Sequence, residues 1–395
     1  MTAPSLPTSD SPLFVLVAGE ASGDQLGAHL IAGLRGHFPT ARFAGIGGAL
    51  MAATGMEIWH SAERLSVMGL VEVLPRLAEL LGIRRDMMKR TLQLQPLAFI
   101  GIDAPDFNLG LARKLKRNGI ACVHYVSPSI WAWREKRVEK IGGATDLVLC
   151  LFPMEPAIYH RHGVDARFVG HPLAERFALA PDQAGARHEL GLSLDVPVLA
   201  LLPGSRLGEI RRLGSDFIAA AHLLKQQLPD LHIVAPMANR RCRDAFEALA
   251  AKSPLPDLHI LDANAHTAMI AADAVLLASG TAALEAMLAK RGLVVAYRLS
   301  GATYWLVKQL GLLRTSVYSL PNILAGKPLV PELMQAACTP SALAAALLGF
   351  LQARSAPADL IAQFEHMHKT LHADSTHDAA TEIATFLAPT VSGKG

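Results

Sequence analysis

Short apolar runs that alternate with helix-length amphipathic stretches constrain this fold more than any other feature of the chain. The runs are rich in Val, Ile, Leu and Phe, and such continuous apolar strands are typical of parallel sheets covered by helices on both faces. The predicted strands lie near residues 13–18, 42–46, 97–102, 120–126 and 146–151, and again near 197–202, 231–235, 258–261, 274–278 and 293–297. The pattern predicts two doubly wound α/β domains.

The boundary between the two series is the stretch HPLAERFALAPDQAGAR, where the strand pattern lapses. Its Pro, Ala and charged residues are typical of a linker, and 395 residues are too many for one ordinary core. We therefore expect a disordered N-terminus at 1–12, a Rossmann-like domain at 13–171, a linker at 172–187, a second Rossmann-like domain at 188–350 and C-terminal helices at 351–395. The two domains would face each other across a cleft.

Composition narrows the class of protein. Hydrophobic residues make up 51% and charged residues 18%, the net charge is +3, and no long Lys/Arg run with interleaved aromatics is present. This argues against a nucleic-acid partner but is compatible with an anionic membrane surface. The four cysteines show no C-x-x-C or metal-ligand spacing, as expected in a reducing compartment. Without a signal peptide or an apolar run of about 18 residues, we expect a cytoplasmic protein whose membrane contact is peripheral.

The predicted loop LLPGSR, residues 201–206, joins a strand to a helix in the second half. Gly204 and Ser205 would offer a close backbone approach and a hydroxyl, and Arg206 a guanidinium fork, which together suit a diphosphate. An ordinary turn with a solvated Arg explains this loop equally well.

The loop ASGTAALE, residues 278–285, has the same form one strand-helix unit later. Ser279, Gly280 and Thr281 would begin a helix, and Glu285 would follow one turn down the same face. A carboxylate there would accept from the two ribose hydroxyls of a nucleotide. A first-turn Glu is also common as a partner of the helix dipole.

The loops of the first half are acidic instead. GEASGD carries Glu20 and Asp24 in a turn that otherwise resembles a phosphate cradle, and these carboxylates would repel a phosphate. GIDAPDFN places Asp103 and Asp106 at a strand end, where Asp103 is a candidate general base or simply a turn residue. Because the chain has no D-x-D pair, a metal-bridged diphosphate is not indicated. We expect neither a metal nor a cofactor.

Two further stretches suggest contacts with sugar and lipid. YVSPSIWAWREKR, residues 125–137, concentrates aromatic residues and cations, and its tryptophans are either sugar platforms or core. Residues 63–90 combine dense aliphatic side chains with cations, as in an interfacial anchor; an internal helix pair is the alternative. The predicted membrane-contact residues are Val67, Met68, Leu70, Val71, Leu74, Arg84 and Arg85.

Nine motifs follow one another along residues 13–390: VAGEASGD, VMGLVEVL, GIDAPDFN, YVSPSIWAWR, TDLVL, VGHP, LLPGSR, LLASGTAALEAMLAK and SLPNILAG. Their order and spacing resemble those of the lipid-A-disaccharide synthases, bacterial glycosyltransferases of the two-domain GT-B fold. The resemblance implies that UDP-2,3-diacylglucosamine donates its sugar to 2,3-diacylglucosamine 1-phosphate, giving a β-1,6-linked disaccharide phosphate and UDP by one inverting displacement. It also implies C-terminal helices that pack back on the N-terminal domain, and a location on the cytoplasmic face of the inner membrane.

The resemblance assigns roles to the candidate residues. Asp103 would be the base and Arg206 would stabilise departing UDP. The donor-side contacts would be Gly204, Ser205, Arg206, Ser279, Gly280, Thr281, Glu285 and Asn322. The acceptor-side residues would be Glu20, Ser22, Gly23, Asp24, Asp106, Ser127 and Trp133.

Three alternatives remain open from the sequence. Two are enzymes of the same fold, a lipid-linked N-acetylglucosaminyltransferase and a UDP-sugar epimerase. The third is a two-lobed protein that binds a nucleotide sugar without chemistry. The sequence leaves a homodimer open as well.

Overall fold

The chain forms two compact units in a computed structural model that describes residues 11–65, 70–128, 130, 137–298, 317–372 and 378–392. Unit 1 comprises Met1–Pro172 and Leu371–Gly395, and unit 2 comprises Leu173–Thr370. Each unit is a parallel sheet with alternating helices, as expected for a Rossmann-like domain. This confirms the predicted fold class of two doubly wound α/β domains.

Unit 1 contains a seven-stranded sheet of order β3-β2-β1-β4-β5-β6-β7, in which all pairs are parallel. The strands are β1 (Leu13–Ala18), β2 (Arg42–Gly47), β3 (Glu57–Ser61), β4 (Ala98–Ile102), β5 (Ala121–Tyr125), β6 (Leu147–Cys150) and β7 (Ala166–Phe168). The helices are α1 (Ala21–His37), α2 (Ala49–Ala53), α3 (Leu70–Leu94), α4 (Pro105–Lys116), α5 (Arg137–Gly142), α6 (Glu155–His160) and, at the C-terminus, α16 (Ala379–Ser392).

The apolar run of β1 is continuous because both faces of its sheet are covered. Phe14 and Leu16 point into a core shared with α1 and with Ile383 of α16. Val15 and Val17 point into the opposite core, which α3 and α4 complete. Successive side chains alternate between the faces of a strand, so a strand buried on both sides has no position left for a polar residue.

Unit 2 contains a six-stranded parallel sheet of order β10-β9-β8-β11-β12-β13. The strands are β8 (Val198–Leu202), β9 (His232–Met237), β10 (Leu258–Asp262), β11 (Ala274–Ala278), β12 (Gly292–Tyr297) and β13 (Glu332–Met334). The helices are α7 (Pro172–Arg176), α8 (Gln183–Glu189), α9 (Leu207–Gln227), α10 (Arg240–Ala250), α11 (Ala265–Ala271), α12 (Thr281–Leu288), α13 (Leu320–Ala325), α14 (Pro340–Ala353) and α15 (Ala358–Leu371).

The segment 172–187 contains α7 and the start of α8. Arg187, its last residue, is buried and forms an ion pair of 2.8 Å with the equally buried Asp273. The same carboxylate accepts from the backbone N–H of Val198 at 2.8 Å. A buried charge of this kind requires its partner, so the end of this segment is fixed to the sheet of unit 2.

Each sheet has one point at which the strand order reverses. In unit 1, β2 and β3 extend the sheet beyond β1, and β5, β6 and β7 extend it in the other direction beyond β4. In unit 2, β9 and β10 extend the sheet beyond β8, and β12 and β13 extend it in the other direction beyond β11. Open α/β sheets bind ligands at this switch point, beyond the carboxyl ends of the strands. The loops that follow β1, β4, β8 and β11 are therefore the candidate site loops, and they contain GEASGD, DAPD, LPGSR and ASGTAALE.

The stretch predicted to contact a membrane is described only in part. Val67 and Met68 lie outside the described residues, as do the side chains of Leu70, Val71 and Leu74. Arg84 and Arg85 lie on α3. Within the described residues, no helix combines the length and the apolar character that crossing a bilayer would require.

Candidate active site

The two switch-point loops of unit 1 touch each other. A Cβ at Gly19, after β1, would lie 2.8 Å from the Cβ of Ala104, after β4. Glycine is therefore required at position 19, because any side chain would push the loops apart. The close approach places the acidic residues of both loops at one end of the sheet.

Asp103 follows β4 directly and has a left-handed backbone with φ 49°. Its N–H donates to the carbonyl oxygen of Tyr125 at 2.9 Å. Asp tolerates this conformation better than most residues do. Burial raises the pKa of its carboxyl, and a hydrogen bond from the Ala104 backbone opposes the shift in part. A carboxylate with a raised pKa at a switch point suits general-base chemistry.

Asn108 holds this loop in place, and the sequence reasoning did not single it out. Its buried amide donates to the carbonyl oxygen of Asp103 at 2.8 Å and makes longer bonds to those of Val17 and Ile102 at 3.3 and 3.4 Å. A Cβ at Gly101 would lie 2.9 Å from its Cβ, so the strand must present glycine there. The signal was available, since Asn108 closes the motif GIDAPDFN.

Asp24 is used for structure. Its buried carboxylate accepts from the backbone N–H groups of Gly48, Leu50 and Met51 at 2.7, 2.9 and 3.0 Å, and so caps α2. Binding an acceptor hydroxyl with this carboxylate would require one of these bonds to be given up. Glu20 is the half-exposed residue before α1, and its side chain makes no cap bond.

The other acceptor-side residues are dispersed. Ser22 is exposed, and Gly23 is buried, where a Cβ would lie a tight 3.3 Å from the Cβ of Ala18. Asp106 is exposed, 4.0 Å from the guanidinium of Arg137. The hydroxyl of the buried Ser127 lies 3.0 Å from that of Tyr159. Trp133 lies outside the described residues.

Unit 2 has a cavity of about 480 Å³ at its switch point. It brings together the two loops that the sequence analysis selected, LPGSR and ASGTAALE. The glycines and polar residues that line it are Gly204, Ser205, Arg206, Glu209, Ser279, Gly280, Thr281 and Glu285. All predicted donor-side residues except Asn322 therefore face one space.

Glu209 changes the expected anion cradle of the LPGSR loop. Its carboxylate accepts from the backbone N–H groups of Ser205 and Arg206 at 2.9 and 3.2 Å, and it lies 3.2 Å from the Arg206 guanidinium. Two of the N–H donors that could cradle a phosphate before α9, those of Ser205 and Arg206, are therefore occupied. The Arg206 side chain is 69% exposed and therefore accessible to an anion. A Glu at the third position of a helix is the signal for this capping arrangement.

The start of α12 is open, because within the described part of the chain it lacks a side-chain cap like the one that Glu209 provides at the start of α9. Gly280, the residue before the helix, is extended and exposed, and no side chain among the described residues caps it. The first-turn N–H groups of a helix lack intrahelical partners and attract anions. Glu285 is half-buried one turn further, where burial raises the pKa of its carboxyl and the charge of Arg176 opposes the shift. The cavity thus offers an anion position beside a hydrogen-bond acceptor.

Asn322 is fully buried and uses all of its hydrogen-bonding capacity within unit 2. Its amide donates to the Val330 carbonyl at 2.9 Å and to the Glu332 carboxylate at 2.7 Å. Its oxygen accepts from the N–H groups of Leu329 and Val330 at 2.7 and 2.8 Å. A direct bond to a nucleotide would require one of these bonds to break.

Comparison with known proteins assigns the family. Residues 14–384 match the family model described as lipid-A-disaccharide synthetase. This chain belongs to the lipid-A-disaccharide synthase family. A lipid-A-disaccharide synthase of Xanthomonas campestris pv. campestris strain 8004 is 53% identical over 387 residues, which cover 98% of this chain and 88% of the relative. The resemblance inferred from the nine motifs is confirmed, and the chain is a glycosyltransferase.

Solved structures of similar fold agree with the GT-B architecture of lipid-A-disaccharide synthases. The S. aureus MnaA–UDP co-structure has a TM-score of 0.61 at 11% identity and covers 95% of this chain and 97% of its own. The calicheamicin glycosyltransferase CalG4 has a TM-score of 0.55 at 16% identity, with coverage of 96% and 99%. At these identities the likeness concerns the fold alone.

Proposed function

We propose that this chain transfers the sugar of UDP-2,3-diacylglucosamine to 2,3-diacylglucosamine 1-phosphate, with inversion at the anomeric carbon. The observation that carries this proposal is the contrast between the two switch points. One presents Asp103, a carboxylate with a raised pKa, and the other presents Arg206 and the open start of α12. A sugar transfer needs both a base for the attacking hydroxyl and charge stabilisation for the leaving group.

The donor binds in the cavity of unit 2. Arg206 and the first-turn N–H groups of α12 hold the diphosphate, and the Glu285 carboxylate accepts from the ribose hydroxyls. Glu209 keeps Arg206 near the cavity through its contact of 3.2 Å with the guanidinium. Gly204 leaves space for Glu209, because a side chain at position 204 would collide with it.

The acceptor binds at the loops of unit 1. The Asp103 carboxylate takes the proton of the acceptor 6-hydroxyl while that oxygen forms a bond to the anomeric carbon of the donor. The bond from this carbon to the phosphate oxygen breaks, and UDP leaves with the electron pair. A single displacement turns the α-linked donor into a β-1,6-linked disaccharide 1-phosphate. Glu20 and Ser22 are exposed enough to meet acceptor hydroxyls.

Both sugars carry acyl chains, so the enzyme must reach them at a bilayer surface. We infer peripheral contact with the cytoplasmic face of the inner membrane through the stretch 63–90, including Val67, Met68 and Leu70. The density of aliphatic residues beside Arg84 and Arg85 supports this location.

The test is a coupled assay for UDP with defined acylated donor and acceptor, followed by mass spectrometry and NMR of the product. The proposal expects UDP release only when acceptor is present, and a β-1,6-linked disaccharide phosphate. UDP release without acceptor would indicate a hydrolase or an epimerase. Nucleotide binding without any release would indicate a binding protein.

A further inference from the structure

A groove between α3 and α4 in unit 1 lies outside the site described above. Its volume is about 410 Å³. Four cations surround it, with an apolar side formed by Leu81 and Met88. The cations are Arg84, Arg85 and Lys89 of α3 and Lys114 of α4. We call this feature the α3–α4 groove.

The four cations of the α3–α4 groove lack acidic partners among the described residues. Other residues use the two acids of α3 whose side chains are described: Glu79 pairs with Arg64 at 2.7 Å, and Asp86 with Arg90 at 3.0 Å. Asp86 also lies 2.7 Å from His60. Unpaired like charges around one space repel each other, and an anion bound between them would remove that cost.

The backbone of α4 shapes the groove for one of these cations. Arg84 lies across Gly110, where a Cβ would be 2.5 Å from its Nη1 atom. The same guanidinium lies 5.6 Å from the centre of the Phe107 ring. A guanidinium this close to an aromatic face is attracted to it, and its planar fork matches phosphate oxygens. Gly110 therefore leaves the space in which the Arg84 guanidinium lies at the groove.

The apolar side of the groove further limits the class of ligand that fits it. Leu81 is 39% exposed and Met88 is half-buried. A nucleic-acid backbone has phosphates but no aliphatic part to cover these side chains. A phospholipid has both, since its phosphate is attached to a glycerol backbone with acyl chains. Apolar residues beside cations are also what interfacial binding requires.

We infer that the α3–α4 groove binds the phosphate of an anionic phospholipid headgroup and so fixes where unit 1 rests on the bilayer. This inference rests on the membrane location proposed above and extends it to one ligand site. It involves Lys114 and Gly110 of α4, neither of which belongs to the anchor predicted at residues 63–90.

The first test compares two charge-matched variants of the full chain in vesicle flotation. Lys89→Gln/Lys114→Gln removes two exposed groove lysines, and Lys252→Gln/Lys369→Gln removes two exposed lysines of unit 2. On phosphatidylcholine vesicles with phosphatidylglycerol, the groove variant should bind about thirty-fold more weakly, and the control within twofold of the unchanged chain. Equal losses in both variants would overturn the site, because net charge alone would then explain binding.

The second test uses Gly110→Ala, which leaves the charge unchanged and favours the helix. At equal surface charge, the unchanged chain should prefer vesicles with phosphatidylglycerol over vesicles with oleate, which has no phosphate. Gly110→Ala should lose this preference several-fold by displacing Arg84, with circular dichroism unchanged. An unaltered preference in this variant would contradict the inferred role of Arg84.

A third measurement separates the phospholipid from the acylated acceptor, which also carries a phosphate. In neutral detergent micelles, Lys89→Gln/Lys114→Gln should keep the acceptor KM of the unchanged chain. A several-fold higher acceptor KM would assign the groove to the substrate and overturn the phospholipid inference. If the unchanged chain shows no sugar transfer at all, the proposed function is wrong. The vesicle results would still decide whether the α3–α4 groove binds phospholipid.

Discussion

The two units share one topology and carry opposite chemistry at the same place. In unit 1, the loops after β1 and β4 present Glu20 and Asp103. In unit 2, the loops after β8 and β11 present Arg206 and the open start of α12. The sheets position the loops, and in the proposed function a few residues of these loops activate a hydroxyl in unit 1 and hold an anion in unit 2. Function therefore follows from the sites and not from the shared fold.

Each unit also uses one carboxylate in the first turn of a helix for structure. Asp24 of unit 1 caps α2 through three backbone N–H groups. Glu209 of unit 2 accepts from two N–H groups at the start of its own helix, α9. Both acids are therefore engaged by backbone N–H groups beside the loops that we propose as site loops. The function that we propose assigns the chemistry to Asp103 in unit 1 and to Arg206 in unit 2.

Replacing the base of unit 1 should have the largest effect. Asp103→Asn should lower kcat by about 10² to 10⁴ because no group would remain to take the acceptor proton. Asn also tolerates the left-handed backbone at this position, so UDP binding measured by calorimetry should not change. Asp106→Asn, at an exposed neighbouring residue, is the control and should lower kcat much less. Full turnover in Asp103→Asn would remove this residue from the mechanism.

Replacing the cation of unit 2 should have the second-largest effect. Arg206→Ala should lower kcat/KM for the donor by about 10² to 10³, as the loss of one charge-stabilising group does, and leave the acceptor KM unchanged. Arg211→Ala, an exposed Arg on the same helix, is the matched control. Steady-state kinetics with each substrate varied would show this. Equal weakening for donor and acceptor would instead indicate that Arg206 has a structural role.

The acid limb of the kcat profile should report Asp103, whereas protonation of Glu285, whose pKa burial also raises, should act on the donor KM. Because Asp103 must be ionised to act, kcat should fall about tenfold per pH unit below its pKa, which burial raises above 3.8. The raised pKa means that the folded state binds this proton more tightly than the unfolded state does. The proton therefore stabilises the fold at low pH, and this contribution is lost as the pH rises through the pKa that Asp103 has in the folded state. Asp103→Asn should therefore lack the acid limb and keep or raise the melting temperature at neutral pH. A lowered melting temperature would contradict this account.

Removal of metal ions should have the smallest effect. Unit 2 offers a guanidinium and a helix start for the leaving UDP, and the chain has no D-x-D pair. Turnover after thorough chelation should stay within about twofold of the untreated enzyme, since Arg206 and α12 supply the charge stabilisation. A strict requirement for Mg²⁺ in the same assay would show that these groups are insufficient.

The strands of the two sheets differ in how clearly the sequence predicts them. All ten predicted strands are present, because each has a continuous apolar run or a clear alternation. The three strands that the sequence reasoning missed are β3, β7 and β13, and each lies at the edge of its sheet. Edge strands are covered less, as the half-buried residues of β3 and β13 show. Their sequences EIWHS, ARF and ELM carry no long apolar signal.

The sequence by itself determined the doubly wound fold, the family and the loops that matter. Burial on both faces forces the apolar strands, and the motifs GIDAPDFN, LLPGSR and ASGTAALE remain legible because they are local. Only the tertiary structure decided which polar atoms are free. Asp24, Glu209 and Asn322 are polar residues in site loops or motifs, yet each is engaged by backbone groups at least three positions away in the chain. Hydrogen-bond capacity is shared through space, so a sequence shows which groups exist but not which are already used.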